Sequence, residues 1–453
     1  MDFEIAYKGE NQGFKGYVSA NEAKGILRVH LAEIAELLKR EGIKGVSLVR
    51  DGKELYFTGA FRDSVLSRLG VKLELPPGEP PTVGYLGGLK FKVNDREVEF
   101  GRGYVKGGYE FYAELKFLSE KEAVDFAKSL KAIGVDARVA GSETAGYTVR
   151  LDSDAFFGLL AAANAVTPGL TPLYRSNYLR IYASAEEGRM RFYFAVKYKG
   201  VWKAVEGVYA GDKVQLKRAE HEVLEAITSA VAEALERLTP ERPSRPAEVE
   251  EPKEDRDRKG NVVSHYLQLY DHHLVPFLKH AAEDARTEPA EVRLEGKHIV
   301  IKAGDAKAEV EFKPLKRKEA EFLPVKDVGQ TLVVYKSLKA LGVPVEITPK
   351  GVKVDGEAMW ALVATAVERS TPNKLPAEVM SGVELLNVHC AGGLKLYIFR
   401  AEGVHYYFAV KTEKEWRTTG GKYVGKMVRI YGEPACAVAE AINAIYSNMG
   451  VDR

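Results

Sequence analysis

The sequence predicts an α+β fold built from two tandem homologous units. Each unit is expected to run helix, hairpin, helix, hairpin, helix, followed by a short antiparallel sheet and a long C-terminal helix. Three observations carry this. The stretch Tyr193-Phe194-Ala195-Val196-Lys197 recurs letter for letter as Tyr407-Phe408-Ala409-Val410-Lys411, each followed by a tryptophan, Trp202 or Trp416, at the same distance. Lys128-Ser129-Leu130-Lys131-Ala132-Ile133-Gly134-Val135 recurs with one conservative change as Lys336-Ser337-Leu338-Lys339-Ala340-Leu341-Gly342-Val343. Such self-similarity marks a duplicated unit, and the pentapeptides alternate with the period of a strand whereas the flanking runs follow the helical period.

Taken in order, the chain opens with a short strand, after which Leu31, Ile34, Leu37 and Leu38 form a helical stripe over 28–40, ended by Gly42. Strands at 46–49 and 55–58 flank Asp51-Gly52, whose glycine permits the positive φ of a tight hairpin turn. Residues 63–108 hold Pro76, Pro77, Pro80, Pro81 and many glycines around a small hairpin near 89–100. Gly52 and its match Gly296 lie 244 positions apart, whereas Lys128 and Lys336 lie 208 apart, so the first unit carries 36 extra residues. The segment 63–108 is therefore expected to be a peripheral insertion.

A strand at 110–117 leads to a helix at 119–133, opened by Ser119 with Glu122 three residues on and stopped by Gly134. Strands near 136–139 and 147–151 precede an apolar helix at 156–165, capped by Asp152 or Asp154. Strands at 178–183, 190–199 and 201–208 follow, and an amphipathic helix at 216–238 ends the first unit, 1–238. Residues 239–260 are prolines and charges with almost nothing apolar, so burial cannot offset the entropy of ordering them and a linker is expected. The second unit, 261–453, replays the first: His273-Leu274 leads a helix as His30-Leu31 does, Thr371-Pro372 repeats Thr167-Pro168, and a last helix at 433–448 matches the one before the linker.

Composition bounds the function. At 453 residues and 45% apolar content the chain can bury sizeable cores. Its 66 basic and 64 acidic residues leave a formal charge of +2, so no chain-wide field attracts nucleic acid or membrane, and any binding surface must be local. Two cysteines, Cys390 and Cys436, cannot build a disulfide framework or a four-thiolate metal site, which fits a reducing interior. Without a leader pattern or a long apolar run, a soluble cytoplasmic protein is expected. Abundant Glu, Lys and Arg with scarce Cys and Met match heat-adapted proteins.

Met380-Ser381-Gly382-Val383-Glu384-Leu385-Leu386-Asn387-Val388, Val404-His405-Tyr406-Tyr407-Phe408-Ala409-Val410-Lys411 and Ala437-Val438-Ala439-Glu440-Ala441-Ile442-Asn443-Ala444-Ile445-Tyr446 resemble the PaRep type two b (Pyrobaculum-type repeat) family of crenarchaea. The resemblance covers about residues 270–453 and implies a thermophilic archaeal origin and a family of unknown function. More loosely, the element order is similar to the LAGLIDADG homing-endonuclease fold, which implies paired units whose sheets saddle DNA. That family needs a carboxylate beside glycine at the end of each first helix to hold divalent metal. Here those helices end in Lys39-Arg40-Glu41-Gly42 and Ala281-Ala282-Glu283-Asp284, so Glu41 and Glu283 are the residues such a role would need.

No catalytic constellation, metal site or cofactor fingerprint is read from the sequence: P-loop, nucleophile elbow and dinucleotide motifs are lacking, the histidines 265, 272, 273 and 280 find no completing ligands, and Cys390 reads as buried packing. Binding is read instead from local charge. Alternation puts Phe192, Phe194, Val196 and Tyr198 on one face and Arg191, Tyr193, Ala195, Lys197 and Lys199 on the other; in the second copy His405, Tyr407, Ala409 and Lys411 share the matching face. Cations outnumber acids over 175–203 and over 395–426. The expected function is non-catalytic nucleic-acid (DNA) binding on paired basic and aromatic sheet surfaces, through Arg180, Arg191, Tyr193, Lys197, Lys199, His405, Tyr407, Lys411 and Arg417. The competing readings are a protein-interaction scaffold, since Tyr and Trp also suit protein interfaces, and a metal-dependent endonuclease.

Overall fold

The computed structural model describes residues 2–6, 15–21, 26–29, 46–49, 54–58, 77–105, 108–142, 146–217, 219–239, 249–256, 262–314, 319–370, 378–380, 382–391, 394–401, 405–413, 415–432 and 434–448. Strands take up 47% of the chain and pair antiparallel in sheets of up to seven strands, against seven helices among the described residues. The expected helix-and-hairpin units with a short sheet are therefore corrected to a mostly β architecture. With that element order gone, the likeness to the LAGLIDADG fold loses its basis. One missed strand is rich in helix-favouring residues: Ala306–Glu311 reads Ala-Lys-Ala-Glu-Val-Glu, and pairing with His298–Ala303 overrides that preference.

The first strands form a five-stranded sheet in the order Asp2–Ala6, Lys15–Asn21, Ile26–Val29, Glu54–Thr58, Val46–Val49. The hairpin expected over 46–58 is present, with Val49 opposite Glu54. The predicted helix at 28–40 begins in the strand Ile26–Val29, and the rest of it, with Glu41, lies outside the described residues.

The chain divides into two compact units, Met1–Pro168 with Ala195–Ala204, and Gly169–Phe194 with Val205–Arg453, so the division does not follow the repeat boundary. In the first, the meander Val83–Gly87, Lys90–Val93, Arg96–Glu99 precedes a sheet ordered Arg138–Ser142, Gly146–Leu151, Gly108–Phe117, Gly101–Val105. The helix Glu120–Ala132 starts where Ser119 accepts the Glu122 N–H, and Ser153–Ala162 where Asp152 accepts that of Ala155. Phe91 and Phe100, 0% and 2% exposed, pack edge-on against Phe156 at 5.7 and 5.2 Å, with Phe111 stacked on it at 4.1 Å. These residues are the core, so the expectation of a peripheral insertion over 63–108 is corrected.

The second unit holds the seven-stranded sheet Thr171–Arg175, Leu179–Glu186, Arg189–Tyr198, Val201–Ala210, Lys213–Lys217, Val262–Tyr270, Lys253–Arg256, less the hairpin tip Ala195–Ala204 that groups with the first. Part of the expected linker is thus the edge strand Lys253–Arg256, while 240–248 and 257–261 lie outside the described residues. The helix Asp271–Asp284 packs Phe277 on Tyr174 at 5.5 Å. Then come the meander Ala290–Glu295, His298–Ala303, Ala306–Glu311, the sheet Ala320–Leu323, Gly351–Asp355, Glu346–Thr348 with the helix Val328–Ala340, and the helix Gly356–Ser370. A six-stranded sheet, Glu378–Met380, Val383–Ala391, Leu394–Ala401, His405–Lys411, Trp416–Val424, Met427–Ile430 in sequence order, ends in the helix Ala435–Asn448.

The duplication survives this redrawing, with a different alignment. The meander 83–99 matches 290–311, and in each the phenylalanine after the third strand donates its N–H to the first turn, Phe100 to Leu89 at 2.9 Å and Phe312 to Lys297 at 2.8 Å. Both pentapeptides lie on strands. Trp202 donates its backbone N–H to Gly134 O at 2.8 Å, and Trp416 to Gly342 O at 2.8 Å.

Gly207 and Gly421 mark a further shared constraint. A Cβ on Gly207 would sit 2.6 Å from Val214 Cγ1 and 2.8 Å from Gln215 O, and one on Gly421 2.7 Å from Val428 Cγ1 and 3.0 Å from Arg429 O. Because part of each obstacle is backbone, relief needs the adjacent strand to shift. Gly207→Ala is expected to destabilise the protein by about 1–3 kcal/mol, measured by urea denaturation; unchanged stability would show that the strands separate freely there.

Candidate nucleic-acid interface

Alternation assigns the strand faces correctly in the second copy, but neither face is open sheet. Phe408 and Val410 join Leu396, Val438 and Ala441 in a core under the helix Ala435–Asn448, with Tyr406, Val428 and Ile430 at its border. On the opposite face Tyr407 stacks on Trp360 of the helix Gly356–Ser370, at 4.0 Å and 18°. That helix also contributes Glu368, which accepts hydrogen bonds from Lys395 at 2.7 Å and from Lys411. Lys411 further lies 5.3 Å over the Trp416 ring. In the first copy, residues 192–196 are all buried, Tyr193 included.

The nine residues singled out by sequence therefore meet different fates. Arg191 is held by both carboxylate oxygens of Glu186, at 2.7 and 2.6 Å, and by Glu206 at 3.2 Å. Its side chain is 12% exposed, so it is neutralised within its own sheet. Arg417 pairs with Glu415 at 2.6 Å. Tyr193 and Lys411 are packing residues. Arg180 is half-buried with its Nε lacking a partner, and burial, with Arg175 nearby, lowers its pKa. Lys197 and Lys199 are exposed at the end of their strand, Lys199 at 4.8 Å over Tyr198. Of the nine, His405 and Tyr407 line an open cleft together. Cys390 and Cys436 are free exposed thiols, which corrects the expectation that Cys390 is buried.

Sequence reasoning counted Lys422 only as one cation of the excess over 395–426, and it missed Arg429. In the strand register His405 lies opposite Lys422, and Lys422 opposite Arg429. Directly opposed residues share a face at a Cβ spacing of about 5 Å. The three form a basic row across three strands, on the face that carries Tyr407. Among the described residues no side chain of the three makes an ion pair or hydrogen bond, although like charges directly opposite repel. The signal was available only as pairing register, which joins positions 405, 422 and 429 and is invisible in a charge count.

Beside this row opens a cleft of about 560 Å³, lined by His405, Tyr407, Trp360, Tyr431, Asp355, Glu357 and the segment Thr418 to Lys422. Asp355 caps the helix by accepting the Ala358 N–H at 2.9 Å, Thr418 donates to Glu357 O at 2.8 Å, and Thr419 donates to Tyr431 O. At the offset that joins the pentapeptides, His405 and Gly420 stand where the first copy has Arg191 and Glu206. The first copy fills the position with an ion pair; the second leaves it open.

The Glu368 contacts make an acid-dependent prediction. Burial pushes its carboxyl up, but the hydrogen bonds from Lys395 and Lys411 outweigh it and hold the group below the ordinary carboxylate range. A depressed folded-state pKa contributes stability above the unfolded value and loses it as pH falls through the folded value. Glu368→Gln is expected to cost about 1–2 kcal/mol at neutral pH, hydrogen bonds to a charge discounted for two part-exposed lysines, with the gap to the native protein closing in acid. Urea denaturation over a pH series checks this; a gap independent of pH would remove the ionic contribution.

No helix among the described residues is long and apolar enough to cross a membrane. No protein-family model, curated protein or solved structure matches the chain.

Proposed function

We propose that the chain is a non-catalytic nucleic-acid-binding protein, and that the second copy alone supplies the binding surface. The observation that carries this is the row His405, Lys422, Arg429, three basic side chains aligned across adjacent strands without internal counterions among the described residues. Such a row tracks a phosphate backbone, and release of the condensed counterions supplies the free energy. Tyr431, 59% exposed, stands beside it to stack on bases. The chain-wide charge of +2 is compatible with this, because attraction falls off within about 10 Å at moderate salt and only the local balance counts. The proposed kinship with the PaRep family adds no activity to this reading, which rests on the geometry.

A second reading, a protein-interaction scaffold, has its own support. Tyr423, Val424 and Met427, 46%, 40% and 64% exposed, cluster at the outer strand pair of the six-stranded sheet, and apolar groups at a sheet edge suit a protein partner.

Salt separates the two readings. Lys422→Glu with Arg429→Glu is expected to weaken binding to mixed-sequence oligonucleotides about tenfold or more at low salt and to reduce the log–log salt slope by about one per lost contact. The melting temperature should hold, since both side chains are exposed. Binding that is absent in the native protein, or that ignores both substitutions, would sink the nucleic-acid reading and leave the scaffold.

A further inference from the structure

The second-copy cleft has an internal comparison, because the same chain carries a diverged version of the position. In the first copy the Arg191 guanidinium lies between Glu186 and Glu206. At the equivalent places the second copy has His405, shorter and half-buried, and Gly420, which has no side chain. Nothing in the packing demands that glycine. A Cβ there would meet the Tyr407 ring at 3.5 Å, an ordinary contact, and its φ is not in the left-handed region. The space is therefore not forced by the fold, and it adjoins the row proposed to bind phosphate.

The chemistry of the cleft is graded from end to end. His405 and Lys422 hold the end nearest Arg429, where an anion is favoured. Asp355 and Glu357 hold the other, at the start of the helix Gly356–Ser370. There the carboxylates repel phosphate and accept hydrogen bonds from N–H groups; Asp355 spends one oxygen on the Ala358 N–H and retains acceptor capacity on the other. Between the ends the walls are aromatic, with Trp360, Tyr407 and Tyr431. A volume of about 560 Å³ falls in the range of small-molecule sites, roughly 300–1,000 Å³.

We infer that this cleft seats one unstacked nucleobase of a single strand, with an exocyclic amino group toward Asp355 and the attached phosphate on the His405, Lys422, Arg429 row. The inference rests on the nucleic-acid reading above and adds to it a preference for single strands over duplex, since a paired base cannot leave its stack without cost. It also sets a base preference. Cytosine and adenine present amino groups that a carboxylate can accept, whereas thymine offers a carbonyl at the same edge.

The test uses the full chain with oligo(dC), oligo(dT) and a mixed-sequence duplex, read by fluorescence anisotropy. The native protein is expected to bind oligo(dC) more tightly than oligo(dT) or duplex. Gly420→Gln refills the cleft without adding charge and is expected to lose about tenfold on oligo(dC), the scale of one stacked base, with duplex affinity and salt slope unchanged. Tyr431→Ala, at an exposed position that folding does not need, is expected to lose a similar factor. If Lys422→Glu with Arg429→Glu weakens binding while Gly420→Gln and Tyr431→Ala do not, the phosphate row stands and the base seat falls. Equal affinity for oligo(dC) and oligo(dT) also overturns the seat. If the native protein binds none of the three, both readings fall.

Discussion

One backbone hydrogen bond organises each repeat. A helix ends in a glycine with φ near +80°, Gly134 or Gly342, and the carbonyl of that glycine accepts the N–H of a tryptophan at the start of a sheet strand, Trp202 or Trp416. The left-handed conformation restricts the cap to glycine, and a Cβ on Gly134 would also meet Gly200 O at 2.6 Å. The tryptophan then anchors the strand that follows: Trp416 is 1% exposed, with Tyr397 at 5.5 Å and the Lys411 ammonium over its ring. Fixing that strand fixes the hairpin partner that carries the pentapeptide, and through register the position of every side chain beyond it.

That constraint explains why the repeated pentapeptide is packed on both of its faces. Tyr407, Ala409 and Lys411 face the helix Gly356–Ser370, while Phe408 and Val410 face the helix Ala435–Asn448. Both faces of the strand are occupied at its centre. Identity between copies falls where packing tolerates least change, and in the second copy the Lys411 charge is answered by Glu368 from the covering helix. The proposed phosphate contacts lie outside the identical stretch, at His405 and on the two strands beyond it, while Tyr407 of the stretch lines the cleft.

Much of the local structure was legible because it is set by neighbours in the chain. Ser119 with Glu122, Asp152 with Ala155, the helix after each cap and the hairpin about 51–52 all depend on contacts within a few residues. What was not legible depends on distance in sequence. Glu368 and Lys411 are 43 positions apart and Arg191 and Glu206 are 15, so the charge counts over 395–426 and 175–203 each left out a carboxylate, Glu368 or Glu206, that lies beyond the window. The meander 83–99 was misread because prolines precede it and glycines crowd its first turn, while Phe91 and Phe100 find their neighbour in Phe156, well along the chain. At the candidate site, His405 and Tyr407 were found by alternation, and Lys422 and Arg429 only by register.

The difference between the two copies is an electrostatic one superposed on a shared frame. Arg191 is the stronger cation by residue type, yet two carboxylates hold it 12% exposed within the first-copy sheet. An arginine so neutralised contributes little field outside, and extracting it for a phosphate would leave Glu186 and Glu206 uncompensated. His405 is weaker but has no such attachment among the described residues, and its register neighbours Lys422 and Arg429 are exposed. Two opposed cations on a sheet surface cost stability in the free protein, and an arriving phosphate relieves that repulsion. On the proposed reading the row is thus better satisfied with phosphate bound than without it.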